Sequence, residues 1–251
     1  MTRLAHLFSA TAALLIVSGA MARAEDSNPP KAVIELFTSQ GCSSCPPADA
    51  LFVELAKQPG LIALTLPVTY WDYLGWKDTL GKDSFAKRQK VYAKARGDGQ
   101  VYTPQAVING AAHVVGSDRA EIERAGQNPP GTGFVARVSV KEEAGSLQVS
   151  LAPLNEPSTR QAGVWVLATT RLVTVPIVRG ENQGKTVSYA NVVRSMTRIG
   201  DWDGSKTVLT APLAATQAPE ADGYVVLVQA DQPGKYGMMP GAILGAARSP
   251  R

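Results

Sequence analysis

Histidine is almost missing from this 251-residue chain, which has His6 and His113 only, and cysteine is as scarce, with Cys42 and Cys45 only. One histidine in the body of the chain leaves no material for a His-rich metal motif, and no Ser-His-Asp set or phosphate loop is present either. Hydrolase, kinase and nucleotide-binding classes therefore have no support. There is no surplus of one charge: 25 Lys and Arg stand against 21 Asp and Glu, a net +4. A balance this small gives no reason to expect nucleic acid or an anionic membrane as partner. After the N-terminal segment, no run approaches the roughly 20 apolar residues that a membrane span needs.

That N-terminal segment carries Arg3, an apolar stretch from Leu7 to Met21 and the small-x-small ending Ala22-Arg23-Ala24. The pattern predicts a secretory signal over 1–24, cut after Ala24, with no stable span left behind. Loss of Arg3 and Arg23 leaves a net charge of +2. The expected compartment is the periplasm, or the exterior, where a cysteine pair can be oxidised and stay so.

The two cysteines lie in Gly41-Cys42-Ser43-Ser44-Cys45-Pro46-Pro47, between the apolar run Ala32 to Phe37 and the amphipathic run Pro46 to Gln58. The first reads as a buried strand and the second as a helix with Leu51, Phe52 and Leu55 on one face. At such a strand-to-helix turn the helix dipole and unpaired N–H groups favour a thiolate at Cys42, a better nucleophile and leaving group at neutral pH. Cys45, one turn on, is placed to close a disulfide or resolve a mixed one. As a staple, a loop this short contributes only about 2 kcal/mol or less. Redox chemistry is the leading reading, with a structural bridge and a metal site as alternatives.

Residues 25–130 alternate strands and helices. Leu61 to Val68 reads as a second buried strand parallel to the first, Tyr70 to Arg96 as a mostly helical insert within 70–100, and Gln105 to Val115 as a hairpin turning at Asn109-Gly110. Ser117 is the expected cap of a last helix over Asp118 to Ala125. Asn128 to Gly133 reads as a linker. Residues 131–251 show period-two strands, which predicts an all-β, sandwich-like second domain.

The order strand, Cys-x-x-Cys, helix, strand, helical insert, Thr-Pro, hairpin, helix resembles the thioredoxin fold. In that family a cis-proline faces the cysteine pair, and Pro104 matches it. The resemblance implies that the backbone of Thr103 pairs with an extended partner segment. Three phrases are similar to those of the bacterial secreted family catalogued as domain of unknown function 1223: Glu35 to Asp49, Tyr70 to Asp78 and Arg179 to Lys185. The chain departs from thioredoxin in having no Trp before Cys42, Ser43-Ser44 in place of Gly-Pro, and no counterpart to the aspartate beneath the pair.

Glu35, seven residues before Cys42, is the candidate proton acceptor, with an exposed strand-edge carboxylate as the other reading. Tyr102, Trp71 and Trp76 are candidates for lining a substrate groove, though core packing explains such aromatics as well. His113 with Cys42 and Cys45 makes a soft three-ligand set for Cu(I), as in a copper chaperone. Lys87, Arg88, Lys90, Lys94 and Arg96 read as a solvated basic face.

The expectation is a periplasmic thiol–disulfide oxidoreductase acting on a protein thiol or disulfide partner, needing no cofactor. Cys42, Cys45 and Pro104 are its catalytic residues. A non-enzymatic binding protein with a structural disulfide is the competing class.

Overall fold

In the computed structural model, residues 29–127, 133–154, 161–234 and 237–249 are described. The expected signal 1–24 and nearly all of the linker lie outside them.

Strand β1 (Ala32–Thr38) is buried along its whole length. It runs between β2 (Leu61–Pro67), to which it is parallel, and β3 (Gln105–Ile108), to which it is antiparallel. Period-two alternation then sorts its side chains. Ile34 and Leu36 join Leu51, Phe52 and Leu55 of helix α1 (Pro46–Leu55) and Ile122 of α3 (Arg119–Gln127). Val33 and Phe37 join Phe85 and Tyr92 of α2 (Asp83–Arg96) on the other face. The sheet is thus covered by helices on both sides, as an all-buried strand requires.

Strand β4 (Ala112–Val115) returns beside β3. Three residues join the paired Ile108 and Ala112; the first two, Asn109 (φ 49) and Gly110 (φ 67), are left-handed, and the Ala111 N–H closes the turn on the Ile108 carbonyl at 3.0 Å. The cap of α3 is Asp118, not Ser117: Asp118 Oδ1 accepts from the Glu121 N–H at 3.0 Å. An aspartate three residues before an unpaired amide fits this role as well as serine does, so spacing alone did not separate them.

The strands after residue 130 fall into two groups. β5 (Ala136–Glu143), β6 (Ser146–Pro153) and β9 (Thr207–Pro212) make a small antiparallel sheet. β7 (Ala162–Pro176), β8 (Thr186–Trp202), β10 (Gly223–Gly234) and β11 (Gly237–Arg248) are antiparallel to one another and extend the first sheet. The eight-stranded order is β11-β10-β7-β8-β2-β1-β3-β4, with β1, β2 and β8 parallel. The two halves therefore share one mixed sheet.

The junction is made largely by side chains. Only Thr65 and Val192 are in ladder register, while Thr65 Oγ1 donates to the Ala190 carbonyl (2.6 Å) and Asn191 Nδ2 to the Ala63 carbonyl (2.8 Å). The small sheet buries Leu147, Val149 and Leu151 with Val164, Val166, Val226 and Leu244. Among the described residues no helix is long and apolar enough to cross a membrane.

Candidate functional site

The site forms where β1 ends. Thr38 closes the strand, Ser39 to Ser44 make the loop, and Cys45 is the N-cap of α1. Cys42 and Cys45 are joined as a disulfide with Cα atoms 5.4 Å apart. Both are buried, at 2 % and 0 % exposure, while Ser43 and Ser44 between them are exposed.

The helix end offers fewer donors than its position suggests. Pro46 and Pro47 fill its first two positions and carry no N–H, and the next two amides, Ala48 and Asp49, both donate to the Cys45 carbonyl. The Gly41 and Cys42 amides donate to Ser39 and the Cys45 amide to the Cys42 carbonyl, so any stabilisation of a thiolate at Cys42 falls to the helix dipole, to the Ser43 and Ser44 amides and to the Ser44 hydroxyl, whose Oγ is 3.4 Å from Cys42 Sγ.

The same hydroxyl lies 3.5 Å from the Thr103 carbonyl, so its one hydrogen goes to that carbonyl in the oxidised pair and can turn to the Cys42 sulfur when a thiolate forms there. The Thr103–Pro104 bond is cis and immediately precedes β3. Trp71 Nε1 donates to Thr103 Oγ1 at 2.7 Å, and Trp71 lies so close to Gly41 that a side chain there would meet its Cβ and carbonyl oxygen at 3.1 Å. Tyr73, 76 % exposed, stacks on Trp71 with centroids 6.4 Å apart, which makes an aromatic shelf beside the loop. Trp76 turns to the loop instead, its Nε1 donating to Gln40 Oε1 at 2.8 Å.

Two elements hold the loop. Asp78 Oδ2 accepts from the Gln40 N–H at 2.8 Å, and burial pushes its carboxyl up. Opposite in chain order, Asn182 of the Arg179 to Lys185 phrase donates through Nδ2 to the carbonyls of Gln40 (2.9 Å) and Cys42 (2.8 Å). That phrase, a charged loop in the sequence, is a strap on the disulfide loop.

One helical turn after Cys45 lies a buried carboxyl that the sequence reading missed. Asp49 is buried on the helical face that also carries Cys45, four residues earlier, and a helical side chain leans back over the preceding turn. Its Oδ1 accepts from Thr38 Oγ1 at 2.7 Å, and its Oδ2 meets no partner among the described residues. Burial, chiefly, and the nearby Asp78 charge push its carboxyl well above the usual range. The one signal in the sequence is weak: Asp49, four residues after Cys45, shares the helical face of Phe52, but a lone carboxylate there reads equally as solvated polarity.

Glu35 does not fit the role expected of it. Strand alternation points it to the α2 face with Val33 and Phe37, across the sheet from α1. There its carboxylate takes Arg88 Nε (2.7 Å), Arg88 Nη2 (3.2 Å) and the Tyr92 hydroxyl (2.5 Å), with Gln229 of β10 closing the network. Arg88 accordingly leaves the expected solvated face and turns inward.

His113 is not brought to the cysteines as a third ligand. Tyr102 donates its hydroxyl to Nδ1 at 2.9 Å, and Nε2 faces Asp98 Oδ2 at 3.2 Å. Burial lowers the imidazole's pKa, consistent with a neutral ring that accepts at Nδ1 and donates at Nε2. Among the described residues no three His, Cys, Asp or Glu side chains converge as a metal site. Tyr102 thus pairs with His113, while its carbonyl accepts from Gln89 Nε2 at 2.7 Å.

Compared with known proteins, residues 33–229 match the family described as "Protein of unknown function (DUF1223)". The crystal structure of a protein from Agrobacterium tumefaciens is similar at 34% identity and a TM-score of 0.76, over 88% of this chain and 94% of that one. No curated protein matches.

Proposed function

This chain belongs to the DUF1223 family, and from that premise we propose that it is a thiol–disulfide oxidoreductase of thioredoxin-like architecture, exported to the periplasm. The observation that carries the reading is the Cys42–Cys45 disulfide at the start of α1, linked through Ser44 to the backbone of Thr103. The strand order β2-β1-β3-β4 with α1 between β1 and β2 supports the architecture.

In the reducing direction for the protein, a partner thiolate attacks Cys42 Sγ. The Cys42–Cys45 bond breaks, and its electron pair leaves on Cys45 Sγ. Asp49, kept protonated by burial, supplies the proton that the Cys45 thiolate takes up. A second partner thiol then attacks the mixed disulfide, releasing Cys42 as thiolate and the partner as disulfide. Oxidation of a partner dithiol and reduction of the pair balance at two electrons, and the reverse sequence reduces a partner. The Tyr73–Trp71 shelf and the Thr103 carbonyl offer the docking surface.

One observation favours a second reading. Both cysteines are buried, as in a disulfide that braces the loop of a binding protein. Complementation of a deletion strain separates the two. The redox reading expects the Cys42→Ser/Cys45→Ser double variant to fail although it is exported and folded. Full complementation by that variant would establish the bracing role instead.

A further inference from the structure

The strap between β7 and β8 is built to hold Asn182 rigidly. The Ile177 N–H donates to the Lys185 carbonyl (2.9 Å) and the Gly184 N–H to the Ile177 carbonyl (2.8 Å), while the Gln183 N–H reaches the Gly180 carbonyl (3.1 Å). Gly180 packs on Trp76, where an added Cβ would meet the Trp76 Cβ at 3.1 Å. Lys185 Nζ donates to Asn182 Oδ1 at 2.9 Å, which orients the carboxamide so that both N–H groups face the disulfide loop. Asn182 is 1 % exposed, and its Nδ2 spends both hydrogens on the Gln40 and Cys42 carbonyls.

The consequence follows from peptide geometry. A trans peptide unit is planar, and its N–H points opposite its C=O. With the Cys42 carbonyl turned onto Asn182, the Ser43 N–H is turned to the far side of the loop from the strap. Among the described residues no acceptor meets the Ser43 or Ser44 N–H. These loop amides matter more here than in an ordinary helix start, because Pro46 and Pro47 remove the first two helical donors and Cys45's carbonyl takes the next two.

We infer that Asn182 is a positioning residue for the redox pair: with the Cys45 N–H, which also donates to the Cys42 carbonyl (3.2 Å), it fixes the peptide units that carry the Gln40 and Cys42 carbonyls, so that these oxygens face the strap and the Ser43 and Ser44 amides are left to stabilise the Cys42 thiolate. The inference rests on the redox reading and gives the C-terminal half a place in that chemistry. Asn182 touches no sulfur; it acts through the backbone of Cys42.

The test is the titration of Cys42 in the reduced full-length protein, followed by thiolate absorbance and by the pH dependence of alkylation with iodoacetamide, and the pair's equilibrium with a glutathione buffer. Asn182→Leu keeps the size and adds no charge but cannot donate. It is expected to lower the Cys42 thiolate fraction at neutral pH roughly two- to fivefold, the range for a helix-end dipole acting on a nearby charge. The glutathione equilibrium should move towards the disulfide by a similar factor, because the reduced form has lost stabilisation. Should Asn182→Leu not fold, Asn182→Ala removes the same donors without bulk and carries the same expectation.

Variants that titrate and equilibrate as the parent does, with only the melting temperature reduced, overturn the inference and leave a structural strap. Failure of the redox reading looks different. In that case the variants shift Cys42 as expected, yet the double-serine protein complements fully.

Discussion

Replacing Asp49 by Asn should change how the oxidised protein's stability depends on pH, with a sign that the burial dictates. The Asp49 carboxyl is raised well above its usual value, mainly by desolvation, so the folded state holds this proton to higher pH than the unfolded chain does. Below the unfolded value of about 3.9 both states are protonated and Asp49 contributes no slope. Above it the folded state binds more protons, and stability falls as pH rises, until the folded carboxyl also ionises. One proton's difference gives a slope of at most about 1.4 kcal/mol per pH unit.

Asn at this position has nothing to ionise, and its Oδ1 can still accept from Thr38 Oγ1. The difference in unfolding free energy, variant minus parent, should therefore grow in the variant's favour from pH 4 upward. Asp78 titrates in both proteins and largely cancels. Urea unfolding of the two oxidised proteins at matched ionic strength between pH 4 and 7 measures this. The same variant should also be reduced more slowly by a dithiol, since Cys45 loses its proton source. A stability difference that is flat with pH would refute the burial argument for Asp49, and with it the proton-donor role.

Three further outcomes follow from neighbouring geometry. His113 has a lowered pKa, so between the unfolded value of about 6.5 and the folded one the unfolded state binds the extra proton; stability should fall as pH drops through that window, and His113→Gln should flatten the fall in the same urea series. Trp71→Phe removes the hydrogen bond to Thr103 but keeps a ring under Tyr73, and should lower stability by about 1 kcal/mol in denaturant unfolding, against a larger loss for Trp71→Ala. The turn seats against β11, whose Ile243 N–H donates to the Asn109 carbonyl at 2.8 Å; Gly110→Ala puts a side chain at φ 67 with its Cβ 2.6 Å from the Gly241 carbonyl, and should destabilise by more than about 1 kcal/mol in the same assay, whereas an unchanged midpoint would mean that the turn does not pack there.

Much of the site-bearing half was legible because its signals are local. An all-apolar run, a Cys-x-x-Cys turn with prolines after it, and an Asn-Gly hairpin each specify their conformation within a few residues. Glu35 was misplaced because a strand's two faces are told apart only by what packs on each, and Arg88, its partner, reads as surface charge until α2 is laid on β1. Asp49 went unseen for a related reason: on a helix face a single carboxylate looks like solvated polarity unless the opposing strand is known. β11 carried little signal, since its glycines and alanines give no apolar alternation. They are small because neighbours crowd them, as where a Cβ on Gly245 would meet the Ala136 carbonyl at 2.4 Å. Arg179 to Lys185 was noticed as a phrase, but its contact with Cys42 spans 140 residues and only the shared sheet brings it there.

Disulfide exchange between Cys42 and a protein partner leaves a covalent intermediate that trapping can hold. A Cys45→Ser protein exported to the periplasm has no resolving thiol, so mixed disulfides formed at Cys42 should accumulate and run as reductant-sensitive adducts on a non-reducing gel. They should be absent from the Cys42→Ser/Cys45→Ser protein, and fewer when Trp71→Ala is added. A Cys45→Ser protein that is folded, exported and free of adducts, in cells where the double-serine variant supports growth as the parent does, would mean that Cys42 does not exchange disulfides with a partner.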